Sequence, residues 1–88
     1  MSVTISPNAL SQIVVRAAER VDGVRVRLPL PRRRVEVGPR IELALAVRYG
    51  EVLPDVARRV QREVADALSM MCAMHVEAVE VTVEELER

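Results

Sequence analysis

Residues 40–50 read RIELALAVRYG, and the fold turns on that stretch. Ile41, Leu43, Leu45, Val47 and Tyr49 fall on one parity; Arg40, Glu42, Ala44, Ala46 and Arg48 fall on the other. A period of two is that of a strand with one face buried and the other wet. Gly50 ends the run. From Leu53 to Met74 the period becomes helical: Val56, Ala57, Val60, Val64, Ala67, Leu68 and Met71 form one apolar stripe. Pro54 is tolerated because it sits in the first turn. The exposed side carries Asp55–Arg59, Arg59–Glu63 and Arg62–Asp66 at i,i+4 spacing, each pair worth a few tenths of a kcal/mol. Residues 78–85, AVEVTVEE, return to alternation, with Val79, Val81 and Val83 set against Glu80, Thr82 and Glu84. A strand, a long helix and a second strand are expected to form a right-handed parallel crossover.

Working outward, SPNALSQIVVRAAERVDG (6–23) is a helix marked at both ends. Ser6 suits the N-cap and Pro7 the first helical position. Leu10, Ile13, Val14, Ala17 and Val21 give the buried stripe, and Gly23 is expected to close the helix in a left-handed conformation. VRVRL (24–28) alternates as a half-buried strand. Pro29 and Pro31 make the next segment a loop. VEV (35–37), before Gly38-Pro39, reads as another strand, and VTIS (3–6) as an opening one. Each element has one apolar face. The expectation is therefore an α+β, two-layer β-α-β-β-α-β sandwich: a mixed three- to four-stranded sheet with two helices on one face, residues 1–88 forming a single domain.

Seventeen valines fill a core that has no Phe or Trp, and Tyr49 is the only aromatic. Thirteen arginines balance thirteen acids, which speaks against a general polyanion binder. The lone Cys72 cannot form an internal disulfide and fits a reducing, cytoplasmic setting. There is no secretory leader pattern and no apolar run of membrane-spanning length, so direct membrane insertion is not expected.

At this point the residues carry a resemblance. VTISPNALSQIVVRAAERVDGV (3–24) is similar to the opening of the bacterial alkaline-shock-protein (Gls) family of envelope stress response proteins. IELALAVRYG followed by the P-x-V helix and V-x-x-V-x-V-x-V (41–83) resembles that family's second half. Two departures stand out. The segment between the first helix and the central strand is shorter than is usual in the family, and the chain is expected to do without the extensions that flank the domain in many members. The resemblance implies a cytoplasmic α+β domain that self-associates as a homodimer or larger. It also implies a place at the inner face of the membrane through a membrane-anchored partner, and no enzymatic activity or cofactor.

The candidate chemistry is sparse. Cys72 and His75 form C-x-x-H, but a metal site needs three or four ligands and no second Cys or His exists, even counting Glu77 as a carboxylate. Nothing orients His75 as a base for a thiol nucleophile; a helix-terminal His⁺ facing the negative end of the dipole is the simpler reading. Glu36, Glu42, Glu80 and Glu84 are expected to pair across strands with Arg25, Arg27, Arg40 or Arg48 rather than act as acid–base groups. Arg32, Arg33 and Arg34 form the one basic run and are the candidate phosphate contact. A small nucleic-acid-binding domain using that loop is the alternative function, although no stacking aromatics and no Gly-rich clamp accompany it. The strongest functional signal is ALSMMCAM (67–74), where the long helix turns apolar nearly all round. Met70, Met71 and Met74 are the candidate partner interface, because a helix apolar on every side needs something to cover it.

Overall fold

The computed structural model describes residues 4–31 and 33–87, with backbone alone for 84–87. The elements are α1 (Pro7–Glu19), β1 (Val24–Arg27), β2 (Arg40–Arg48), α2 (Leu53–Cys72) and β3 (Ala78–Glu87). The sheet order is β1-β2-β3, with β1 antiparallel and β3 parallel to β2. The α+β class, the mixed sheet and the parallel β2-α2-β3 unit are as expected. The β-α-β-β-α-β order is not: among the described residues there are three strands, in the order α-β-β-α-β. Thr4–Ser6 pair with nothing in the sheet, and Val3 lies outside the described residues. Residues 35–37 are not a strand either.

The ends of α1 follow local chemistry. Ser6 Oγ accepts a hydrogen bond from the Ala9 N–H at 3.2 Å, and Pro7 opens the helix. The other end departs from expectation. Arg20 is the C-cap in an ordinary right-handed conformation, and the Val21 N–H donates to the Ala18 carbonyl at 3.2 Å. Gly23, at φ +82°, comes after the cap and makes the reversal into β1. A Cβ there would stand 3.1 Å from Cβ of Arg48, so both conformation and space call for glycine. Arg48 fastens this turn to the end of β2: its N–H donates to the Gly23 carbonyl at 2.8 Å and its guanidinium donates to both Asp22 carboxylate oxygens at 3.1 Å. That bidentate hydrogen bonding, and then the Asp22 charge, hold the guanidinium above its ordinary pKa.

The core is aliphatic. Ile41, Leu43, Leu45 and Val47 of β2 meet Val14, Ala17 and Ala18 of α1 and Val56, Val60, Val64 and Leu68 of α2 in one buried cluster. Both helices therefore lie over the odd-numbered face of β2. The even-numbered face stays open and shows Arg40, Glu42 and Arg48 to solvent, with Ala46 its one buried residue. The alternation puts Tyr49 with the inward side chains, but β2 stops at Arg48 and the ring is 60% exposed. One extra residue in β3 shifts the register between Leu45, which faces Val83, and Ala46, which faces Glu85.

Candidate functional site

The last turns of α2 set the surface of interest. Val56, Val60, Val64 and Leu68 recur every four residues and are fully covered. At about 100° per residue, Met70 falls nearly opposite Leu68, and Met71 falls on the flank. Met70 is 85% and Met71 64% exposed, so Met71 does not belong to the buried stripe in which the sequence reading placed it. The helix stops at Cys72, short of Met74, because Ala73 turns left-handed at φ 52° and its N–H, with that of Met74, donates to the Leu68 carbonyl. That turn directs Met74 back against the core, where it is half-buried. The structure thus separates the trio: Met70 and Met71 face outward, Met74 inward.

Met71 also walls a groove of about 270 Å³ between the outer sides of α1 and α2. Ile13, Ala17 and Ala67 line its floor, and Arg16 and Arg20 border it. Small side chains where two helices meet leave a furrow, and a flexible thioether on its lip can adapt to an inserted side chain. The sequence pattern did not single out this groove, because it belongs to two helices distant in sequence.

Of the arginine run, the two described members, Arg33 and Arg34, differ in what they do. Arg32 lies outside the described residues. Arg33 is exposed at φ 53°, its N–H donating to the Pro29 carbonyl at 2.7 Å. Arg34 is engaged: Nη1 donates to Asn8 Oδ1 at 3.2 Å, and Nε lies 3.5 Å from Glu36 Oε1. Next to it the Val35 N–H donates to Ser11 Oγ at 2.8 Å, and the Val35 side chain is buried. This corrects the strand expected at 35–37. Its alternation is real, but the backbone partner is a serine side chain of α1 rather than a neighbouring strand. Ser11, a buried polar residue in mid-helix, gave no signal in the sequence.

A second concavity, of about 690 Å³, opens where β1 ends at Arg27 while β2 continues. Arg27, Glu36, Arg40, Glu42, Glu80 and Thr82 supply its polar lining, and it contains no Ser, Cys or His. Arg40 and Glu80 form an ion pair across it. Such an exposed pair is worth about 0–1 kcal/mol and offers no desolvated acid. Of the helix pairs, Asp55 meets Arg58 rather than Arg59. Cys72 is half-buried against the core and His75 is exposed. Among the described residues no three His, Cys, Asp or Glu side chains are grouped to hold a metal ion, and no helix is long and apolar enough to cross a membrane.

A family model described as the alkaline shock protein 23 family, cell envelope-related function, matches residues 33–88. It covers the second of the two segments that carried the resemblance; residues 3–24 lie outside it. No curated protein and no solved structure matches the chain.

Proposed function

The chain belongs to the alkaline shock protein 23 family, with its cell envelope-related function, and from that premise we propose that it works by protein–protein contact rather than by catalysis, with a second copy of itself as the first partner. The observation that carries this reading is the pair Met70 and Met71, exposed at the apolar end of α2 beside the α1–α2 groove. Large unbranched apolar side chains held in water gain by being covered, at about 25 cal/mol per Å² of apolar surface removed. The contact is isologous: Met71 of each subunit enters the groove of the other, with Ile13 and Ala67 as its floor. In the cell the dimer sits in the cytoplasm, peripheral to the inner face of the membrane, held there by a membrane-anchored protein partner. The paired charges of the open cleft and the tethered Arg34 support this reading over an enzyme and over the arginine-loop phosphate contact.

The four methionines are Met1, Met70, Met71 and Met74, which makes methyl-labelled methionine a clean probe. On dilution, the Met70 and Met71 methyl resonances shift together with the fall in mass, while that of Met74 moves little. Resonances of Met70 and Met71 independent of concentration, in a chain that is monomeric throughout, remove the proposal.

A further inference from the structure

The two edges of the sheet are finished differently. On β1 the outward donors are occupied from within: the Val24 N–H donates to the Val21 carbonyl at 3.2 Å, and the Val26 N–H donates to Glu19 Oε2 at 3.0 Å. A carboxylate laid along a strand closes it to pairing. On β3, the Ala78 N–H donates to the Pro39 carbonyl on the β2 side. Backbone groups alternate in direction along a strand, so Val79, Val81 and Val83 point theirs away from β2. The Val79 carbonyl is taken by Gln61 Nε2 of α2 at 2.8 Å. No described strand lies beyond Val81 and Val83.

We propose that this open edge is a strand-addition site for an extended segment of a partner protein that alternates apolar and basic residues. The side chains flanking the edge set that pattern. On the helix-covered face the added strand runs beside the half-buried Val81 and Val83, which favours apolar residues there. On the open face it runs beside the exposed Glu80, which shares a register position with Glu42 on β2. The concavity on this face sets the carboxylates of Glu36, Glu42 and Glu80 against the guanidinium groups of Arg27 and Arg40, with Arg40 paired to Glu80, leaving a local negative excess that a basic residue fills. The same charges reject a second β3. Residues 78–87 hold four glutamates and no basic residue, and a two-fold pairing centred on Thr82 would set Glu80 against Glu84 twice. This surface is distinct from the methionine end of α2 and does not depend on the dimer.

The test uses the full chain and two blocked peptides, one alternating Val with Arg and one alternating Val with Glu. The Val-Arg peptide slows amide exchange at Val81 and Val83 and leaves the already paired Thr82 unchanged; the Val-Glu peptide slows neither. Val81→Pro removes an outward N–H without removing a ladder bond; it keeps the fold and weakens Val-Arg binding by about tenfold, the equivalent of losing a main-chain hydrogen bond. Glu80→Arg moves the preference toward the Val-Glu peptide. Met70→Glu with Met71→Glu leaves peptide binding intact, so failure of the dimer and failure of this site are separable. Equal binding of both peptides, unchanged affinity in Val81→Pro, or concentration-dependent protection of Val81 and Val83 in the chain alone overturns the proposal.

Discussion

The packed core, made of α1 and the β2-α2-β3 unit, and the segment 20–39 that links α1 to β2 are held in place by different means. The β2-α2-β3 unit rests on backbone pairing along the whole of β2, broken by one register shift, and on a stripe of fully buried aliphatic side chains. The stretch from β1 to β2 pairs only at Val24–Arg27, and is otherwise fastened by side chains: Ser11 to the Val35 backbone, Asn8 to Arg34, Asp22 to Arg48. Burial tolerates no substitute for volume, whereas side-chain ties can be cut singly. The linking segment therefore ought to loosen in steps, and the core, α1 included, to fail as a whole.

The largest effect is expected at Leu45→Ala, which opens a cavity under both helices. It costs about 3–4 kcal/mol in denaturant unfolding, and in a domain of this size that removes a large share of the total stability. Ser11→Ala comes next. It leaves the Val35 N–H without its acceptor, at a cost of about 1–3 kcal/mol, and hydrogen exchange should rise around residue 35 well before β2 is affected. A loss equal to that of Leu45→Ala, with the linking segment and the core exchanging together, would erase the distinction between them.

How far the sequence foretold this division is itself a physical matter. In 40–83 a residue's burial follows its local period, so Ile41, Leu43 and Leu45 on one parity, and Val56, Val60 and Val64 at helical spacing, declare the strand and the helix without knowledge of partners. Val35-Glu36-Val37 shows the same alternation with a different outcome. Pairing depends on a neighbour, and the available donor–acceptor match was a hydroxyl on α1. The boundary errors share a cause. α2 stops at Cys72 because Ala73 adopts a left-handed conformation that its identity does not advertise. A period extended past the end of its element points Tyr49 inward, and one carried off its stripe does the same for Met71, whereas both side chains are exposed. The outward-facing methionines were readable as an excess of apolar residues. Which of the three would turn inward depended on the cap.

Smaller effects sharpen the contrast. Ala73→Gly relieves the left-handed strain at the α2 terminus and should raise stability by about 0.5–1 kcal/mol, measured as a higher denaturation midpoint with an unchanged slope. Asn8→Ala removes one exposed hydrogen bond to Arg34 and should change stability by less than about 0.5 kcal/mol, with exchange quickened only in the loop before β2. A larger loss there would mean that the loop bears on the core.

Met70→Glu and Met71→Glu together are expected to leave the unfolding curve of the isolated subunit almost unaltered, since both side chains already face water. Their effect falls on assembly, and sedimentation equilibrium of the native and doubly substituted chains reads it directly. Self-association through the end of α2 predicts a native mass of at least two subunits and a substituted mass of one. An identical mass for the two chains, whether one subunit or several, contradicts it.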